Sequence, residues 1–274
     1  MRKFAFFLFF LLLIIFLSVI YNLNNKDYQS SSYEREYILF AHRGVPYLAE
    51  NSDQSFSESR DIGFTALETD IHFTKDHKLI VFHDDNTKRL LDVDLNVEDC
   101  NWEDLKDFFI INNGVETSNK ILLFEDLLNN QYNFQSVYLD IKASVSKVLA
   151  DRLLLDLARN QSFNTFLIAD SNILFLAYLK FKNSKVKTIL EGYKKGKEWY
   201  YYLIPVKFRP DYLASFYNDV DYNHISFLKE HKLIKKKIVY GIDNRQISEA
   251  INIGLQHFII DYDTDIDSLI ISNN

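Results

Sequence analysis

"ALETDIHFTKDHKLIVFHDD", residues 66–85, holds two apolar runs separated by a short polar turn. The first run predicts a strand, and the second, at 79–83, follows it after only a few residues. Because parallel neighbours need a crossover of a dozen or more residues, the second run must turn back antiparallel near Asp76. This reversal is expected to bring His83 beside Asp70, at the carboxyl end of the first strand.

Outside this stretch, short apolar runs alternate with helix-like segments, the pattern of strands joined by crossover helices in a parallel sheet or barrel. The predicted strands are 38–42, 65–71, 136–142, 164–169, 186–190, 220–226, 237–241 and 257–261. The predicted helices are 53–62, 120–130, 145–160, 171–182, 228–235 and 245–253. Eight such strands suit a closed TIM-type (β/α)8 barrel of the α/β class.

The composition limits the function classes. The chain has 274 residues, of which 47% are hydrophobic, enough for one large domain with a buried core. A formal net charge of -7 would repel polyanions, so no nucleic-acid partner is expected. The single cysteine, Cys100, excludes an internal disulfide framework and a multi-cysteine zinc site, and we interpret it as structural.

The N-terminus carries an uncharged apolar run at residues 4–21, after two basic residues. This run predicts one transmembrane helix, a signal anchor over residues 1–21, ahead of the barrel. No Ala-x-Ala-like site ends the run, which favours an anchor over the alternative of signal cleavage and secretion. The positive-inside rule then makes the rest of the chain extracytoplasmic. Residues 22–36 read as a polar linker and residues 37–274 as the barrel domain.

Polar side chains fall at the carboxyl ends of the predicted strands. Because side chains alternate along a strand, Glu68 and Asp70 lie on the same face of the predicted strand 65–71. Asp140 and Lys142 lie on the same face of the predicted strand 136–142 in the same way. In a barrel these ends form the active face. The residues expected to converge there are His42, Glu68, Asp70, His83, Asp140 and Lys142.

Three of these residues are carboxylates, which would repel one another if they were buried without a cation. All-oxygen ligation by Glu68, Asp70 and Asp140 suits a hard divalent cation, Mg²⁺ or Ca²⁺. The alternative is that Glu68 and Asp70 are surface residues on a half-exposed strand. The acidic pattern therefore predicts a divalent-cation site.

The other polar residues suggest phosphate chemistry. His42 and His83 beside a metal would form a general acid and base pair. Arg43 and Lys142 would hold phosphate oxygens and stabilise the charge of a phosphoryl transition state. Gly44 would let the backbone pass close to a ligand. The expected substrate is a small phosphodiester, and no protein partner is predicted.

The motifs "AHRG", "ENS", "ETD", "FHDDNTKR" and "LDIK", in this order, resemble those of the glycerophosphodiester phosphodiesterase family, whose members are metal-dependent barrels of the phospholipase-C-like type. The resemblance implies hydrolysis of glycerophosphodiesters to an alcohol and glycerol phosphate, with histidine acid-base catalysis. The site residues that it implies are His42 and His83 as acid and base, Arg43 and Lys142 on phosphate, Glu68, Asp70 and Asp140 on the metal, and Glu50 and Asn51 in the inner shell.

Three features of the sequence depart from the family pattern. The third metal carboxylate is usually glutamate but here is Asp140, the late tryptophan-threonine-valine-asparagine signature is "YGID" at 240–243, and the threonine before the last aspartate is Ile260. These changes leave the substrate open. The alternatives are a lysophospholipase D or sphingomyelinase D-like lipid phosphodiesterase, and a non-catalytic anchored barrel that binds a phosphodiester or a partner protein.

Two further stretches are interpreted as structural. The aromatic stretch 198–208, "EWYYYLIPVKF", is expected to be core rather than a wall over a lipid. The lysines at 194–195 and 235–237 are expected to form a solvated face rather than to contact anionic lipid.

Overall fold

The computed structural model of the chain describes Leu13, residues 37–129 and residues 132–272. The strands of this part of the chain are β1 (Ile38–His42), β2 (Ala66–Phe73), β3 (Leu79–Val81), β4 (Phe109–Asn112), β5 (Val115–Lys120), β6 (Leu122–Leu123), β7 (Ser136–Ile141), β8 (Phe166–Asp170), β9 (Lys187–Glu191), β10 (Tyr212–Phe216), β11 (Lys237–Tyr240) and β12 (His257–Ile260).

Eight of these strands form a closed parallel barrel in the order β1-β2-β7-β8-β9-β10-β11-β12. Closure follows from β1, which pairs in parallel with both β2 and β12. The TIM-type barrel is therefore confirmed. Strand β3 returns antiparallel to β2, and β6 pairs with β3, while β4 and β5 form a separate hairpin. The reversal predicted after the second barrel strand is confirmed as well.

The helices lie between the barrel strands and in the insertion that follows β3. They are α1 (Asp53–Ile62), α2 (Lys88–Leu91), α3 (Trp102–Leu105), α4 (Phe124–Leu128), α5 (Lys147–Arg159), α6 (Ile173–Lys182), α7 (Tyr200–Leu203), α8 (Tyr222–Glu230), α9 (Ile247–Asn252) and α10 (Asp267–Ser272). Local sequence sets their ends. The Ser52 hydroxyl accepts from Ser55 N at the start of α1, and Gly63, with φ of 118°, ends that helix in the left-handed region.

Alternation along the strands divides the core into two layers. A small cluster fills the barrel interior and includes Phe40, Ala66 and Tyr138. The larger cluster lies between the strands and the helices and includes Leu67. Because Ala66 faces inward, Glu68 and Asp70 share the interior face of β2. A third cluster lies beneath the insertion after β3 and contains the buried Cys100, as the structural interpretation expects.

One predicted barrel strand is wrong. Residues 220–226 do not form a strand; the barrel strand is β10, and α8 begins at Tyr222. The Asp221 carboxylate accepts from His224 N and caps this helix, so the chain is helical from Tyr222 onward. The helix predicted at 228–235 consequently lies too late in the chain. The other predicted barrel strands all overlap observed ones.

Three smaller expectations also need correction. The helix predicted at 120–130 is shorter, since its first part is β6. The lysines at 235–237 are not all solvated, because Lys237 is fully buried. The aromatic stretch 198–208 is divided: Tyr201 packs in the core against Tyr193, whereas Trp199 is exposed.

The predicted anchor, residues 1–21, and linker, residues 22–36, lie outside the described residues except for Leu13. Among the residues that are described, no helix has the length and apolar character needed to cross a membrane.

Candidate active site

Three carboxylates meet at the carboxyl ends of β2 and β7. One oxygen each from Glu68, Asp70 and Asp140 lies within 4.8 Å of the others. The register explains this, because Asp70 is paired with Asp140 across β2 and β7, and side chains at paired positions point to the same face. The shorter Asp140, in place of the family's usual glutamate, therefore still reaches the cluster.

The electrostatics of this cluster fit a hard cation. Burial, and after it the charges of Asp70 and Asp140, raise the pKa of Glu68 well above its usual range. Burial also raises the pKa of Asp140, against the attraction of Lys142. Asp70 Oδ1 is buried and accepts no hydrogen bond from the described residues. A cluster of three carboxylates with a buried oxygen that accepts no hydrogen bond is the kind of all-oxygen ligand set that Mg²⁺ or Ca²⁺ prefers.

Two cations face the carboxylates. Arg43 Nε lies 3.0 Å from Asp70 Oδ2, an ion pair without hydrogen-bond geometry. Lys142 Nζ lies 2.6 Å from Asp140 Oδ2 and 3.6 Å from Asp70 Oδ1. Both cationic groups therefore border the acidic cluster, where they reduce the repulsion between its members.

The turn after β1 positions Arg43. Arg43 and Gly44 have φ of 53° and 98°, and this left-handed turn reverses the chain. A Cβ on Gly44 would lie 2.1 Å from Ser55 Oγ, so glycine is required for contact with α1. Gly44 thus has a packing role at this turn, and its approach to a ligand stays a prediction.

The predicted inner-shell residues follow this turn. Asn51 Nδ2 donates to Asp70 Oδ2 at 2.9 Å, and its Oδ1 accepts from Thr69 Oγ1 at 2.7 Å. Glu50 accepts from Arg43 at 3.2 Å and from Arg89 at 2.7 and 2.8 Å. Asn51 therefore orients a carboxylate of the cluster, and Glu50 joins two arginines.

An aspartate orients each of the two predicted catalytic histidines, His42 and His83. His42 Nδ1 lies 2.8 Å from Asp261 Oδ1, and its Nε2 lies 3.9 Å from Glu68 Oε2. His83 Nδ1 lies 2.6 Å from Asp84 Oδ1. A carboxylate on Nδ1 fixes the ring and leaves Nε2 to exchange protons.

Asp84 is itself held in place. Arg89 Nε donates to Asp84 Oδ2 at 2.6 Å. Against the effect of burial, the hydrogen bonds from Arg89 and His83 lower the pKa of Asp84 to about 2. Arg89 thus connects the two sides of the site, since it binds both Asp84 and Glu50.

Several polar residues at the site received no role from the sequence. They are Asp84, Asp170, Glu191 and Asp261. Asp170 and Glu191 are the last residues of β8 and β9. The position at the carboxyl end of a barrel strand, which indicates Asp140 in the sequence, would have indicated these two residues as well. Glu191 accepts from the Tyr138 hydroxyl, and burial raises its pKa to about 7.

These groups line one continuous cleft at the carboxyl end of the barrel, which we call the mouth. A cavity of about 460 Å³ contains His42 and His83, and a neighbouring one of about 530 Å³ shares His83 with it. The first has an apolar wall formed by Phe216, Tyr240, Ile242, Ile259 and Ile260. The second is more acidic, and its lining includes Asp84, Asp85, Asp170 and Glu191.

The chain resembles known proteins in sequence and in fold. The uncharacterized protein MG293 of Mycoplasma genitalium is 28% identical over 166 residues, which are 58% of this chain and 66% of that protein. Lysophospholipase D GDPD1 of Homo sapiens is 38% identical over 66 residues, 24% of this chain and 21% of that protein. The matches thus span less than two thirds of either relative.

The fold likeness covers more of the chain. A phosphodiesterase of Oleispira antarctica, solved in complex with the product sn-glycerol-3-phosphate, has a TM-score of 0.71, 19% identity, and coverage of 86% of this chain and 96% of that one. The model of the glycerophosphoryl diester phosphodiesterase family matches residues 42–260. Since this match includes most of the barrel and both histidines, the chain belongs to the glycerophosphoryl diester phosphodiesterase family.

Proposed function

We propose that the chain hydrolyses glycerophosphodiesters to an alcohol and glycerol phosphate with the help of one divalent cation. The observation that carries the proposal is the meeting of two aspartate-bound histidines and three carboxylates in one cleft. Family membership supports it, as does the phosphodiesterase of the same fold that binds sn-glycerol-3-phosphate.

Glu68, Asp70 and Asp140 are the residues that would hold the cation. When bound, a divalent ion such as Mg²⁺ or Ca²⁺ supplies a Lewis acid for the phosphoryl oxygens. Asp70 Oδ1, which is buried and accepts no hydrogen bond from the described residues, supports a cation at this position.

Arg43 and Lys142 are proposed to hold the substrate phosphate. Both line the cavity that contains the histidines. The guanidinium can bind two phosphate oxygens at once, and the ammonium acts as a point charge. Together they stabilise the negative charge that increases as the phosphorus is attacked.

His42 and His83 are proposed to move the protons. One imidazole removes a proton from the attacking hydroxyl at Nε2, while the other donates a proton to the alcohol oxygen as its bond to phosphorus breaks. Asp261 and Asp84 keep each ring in the tautomer and orientation that this exchange requires.

A lysophospholipid is the second candidate substrate. The apolar wall at Phe216 and Tyr240, with ring centroids 4.5 Å apart, could contact an acyl chain beside the phosphate. The partial match to a lysophospholipase D agrees with this alternative.

A product assay tests both candidates. Glycerophosphocholine and lysophosphatidylcholine are each incubated with the protein and with Mg²⁺, Ca²⁺ or Mn²⁺. Glycerol phosphate and choline from the first substrate support the proposal, and faster turnover of the acylated lipid supports the second candidate. If no phosphodiester gives a product with any of these metals, both candidate activities are contradicted. That result would favour a non-catalytic barrel that binds a phosphodiester or a partner protein.

We further propose that residues 1–21 anchor the chain in a membrane, with residues 37–274 as an extracytoplasmic domain. The apolar run at 4–21 and the two basic residues before it support this orientation. The test is a high-pH carbonate wash, after which the full-length protein should stay with the membranes. Release into the soluble fraction would contradict the anchor and support cleavage.

A further inference from the structure

Four consecutive barrel strands, β7 to β10, are each followed by an exposed apolar side chain at the start of the next helix or, for Trp199, directly before it. We call this set the rim arc, and its members are Val148 (49% exposed), Leu174 (78%), Trp199 (62%) and Tyr222 (83%). Helix starts that follow β-strand carboxyl ends lie around the mouth, and helical side chains tilt toward the helix N-terminus. The rim arc therefore borders the mouth.

The rim arc is continuous. Strands β7, β8, β9 and β10 are direct neighbours in the barrel. The loops after β9 and β10 also contact each other, since Lys195 N donates to Asp219 O at 3.2 Å and His224 Nδ1 lies 2.7 Å from Glu198 Oε1. Helices α5 and α6 are joined by a 3.0 Å hydrogen bond from the Tyr178 hydroxyl to Asp151. The four apolar side chains thus share one edge of the molecule.

Charge divides the mouth into two sides. Among the apolar side chains of the rim arc lie three exposed lysines and one exposed aspartate, namely Lys147, Lys195, Lys197 and Asp221. The loops after β3, β11 and β12, on the other side, carry four exposed aspartates, namely Asp85, Asp243, Asp263 and Asp265, of which Asp243 is paired with Arg245. Single exposed apolar residues are common on proteins, but a set of them with exposed lysines, beside a more acidic edge, is typical of an interaction surface.

We propose that the rim arc docks on the surface of a lipid bilayer that contains anionic lipids, with the acidic side of the mouth tilted away. Tryptophan and tyrosine favour the membrane interface, where the ring is apolar and its polar atom reaches water. Lysines near the surface are attracted to anionic head groups, and for Lys195 this contact replaces the solvated face expected from the sequence. The side chains of the arc combine both kinds of contact.

The chain outside the described barrel is long enough to allow this contact. Strand β1 begins at the amino end of the barrel, so an anchor before it would hold the mouth away from the bilayer. Residues 22–36 can extend to roughly 50 Å at about 3.3–3.6 Å per residue, enough for the domain to turn over. Docking is independent of the proposed hydrolysis, so either can fail without the other.

Fluorescence quenching in the full-length chain tests the docking. The two native tryptophans are replaced, Trp102→Phe and Trp199→Phe, and one tryptophan is introduced by Leu174→Trp or by Phe181→Trp. Both positions are exposed on α6, Phe181 by 65%, and they lie about 10 Å apart along the helix. Phe181 lies in the last turn of α6, toward the amino end of the barrel and away from the mouth, so it serves as the matched control.

The chains are mixed with vesicles of phosphatidylcholine and phosphatidylglycerol that carry brominated acyl chains. Docking predicts a loss of emission at position 174 and none at 181. Equal loss at both positions, or loss at neither, would overturn the proposal. A change at 174 that grows with protein concentration in the absence of vesicles would assign the arc to a second copy of the chain and would overturn it too.

The contribution of charge is measured with Trp199 as the reporter, in the Trp102→Phe chain. Omission of phosphatidylglycerol, or the pair Lys195→Gln and Lys197→Gln, should reduce the loss of Trp199 emission. Circular dichroism checks that the variants fold. If the loss of Trp199 emission is the same without phosphatidylglycerol and in the lysine variant, the assignment to anionic lipid is overturned.

Discussion

His42 and Asp261 are joined through Nδ1 and Oδ1 at 2.8 Å, across the seam where the first and last barrel strands meet. The seam has a fixed register, with Ala41 paired with Ile260, so the residues that follow them in the chain face each other. Closure of the barrel therefore assembles one of the two histidine–aspartate pairs. The other, between His83 and Asp84, is local in sequence.

Removal of the Asp261 charge should impair catalysis through His42. Asp261→Asn is expected to lower kcat by less than the roughly 10²- to 10⁴-fold loss expected for His42→Ala. The reason is that the ring stays in place but loses the anion that fixes its tautomer. Steady-state kinetics on glycerophosphocholine measure the effect. The control is Asp263→Asn, two residues later, which should retain wild-type turnover; equal rates for both variants would contradict the pairing.

The acidic cluster should respond to metal in thermal unfolding. A cation that binds only the folded chain raises the Tm of the wild type. Glu68→Gln removes one buried charge from the three-carboxylate cluster, so the metal-free variant should be at least as stable as the metal-free wild type. It should also lose most of the shift caused by Mg²⁺ or Ca²⁺. Asp170→Asn, outside the cluster, should keep the shift, and an unchanged shift in Glu68→Gln would argue against the proposed ligands.

Buried Lys237 should make stability rise with pH. Its ammonium donates to Tyr193 O at 2.5 Å and to Ser215 Oγ at 2.6 Å, and burial lowers its pKa to about 7. Because the unfolded chain binds this proton up to a pKa near 10.4, the free energy of unfolding increases with pH between about 7 and 10.

Urea unfolding at pH 7 and pH 9 measures this dependence against Lys237→Met, which has no titratable group there. The wild type should gain stability relative to the variant at the higher pH. A stability difference that is the same at both pH values would show that the lysine does not titrate in this range.

Gly44 should be the more sensitive of two positive-φ glycines. A Cβ at Gly44 would meet Ser55 Oγ at 2.1 Å, whereas one at Gly114 would meet nothing within 4 Å. Both Gly→Ala changes incur the left-handed backbone cost of about 1–2 kcal/mol. Gly44→Ala adds overpacking of about 1–3 kcal/mol. Urea unfolding that finds the two variants equally stable would contradict the close packing of this turn.

The sequence predicts most of the barrel because its strands are short, apolar and separated by amphipathic helices. Strand β10 is missed, since its run "YLASF" is short and the later pattern at 220–226 is taken as the strand instead. That later pattern is helical because the Asp221 carboxylate caps α8. A local cap thus outweighs residue preference, and only knowledge of the cap would have corrected the prediction.

Part of the candidate site can likewise be predicted from the sequence, and part cannot. Phase along a strand and position at its carboxyl end are sequence properties, and they suffice to bring Glu68, Asp70 and Asp140 together. The pairing of His42 with Asp261 depends on barrel closure, and the contacts of buried Lys237 come from the loop after β9 and from β10. Neither relationship leaves a pattern in the neighbouring residues.

The central claim is that the two histidines act with the acidic cluster in one hydrolytic site, and ³¹P NMR of glycerophosphocholine with a divalent metal tests it most directly. The wild type should convert the diester to glycerol phosphate, and His42→Ala and His83→Ala should each be slower by roughly 10²- to 10⁴-fold. Both variants should keep the metal-induced rise in Tm, because neither residue belongs to the carboxylate cluster. Wild-type turnover in either variant, or no glycerol phosphate from the wild type, would contradict the account.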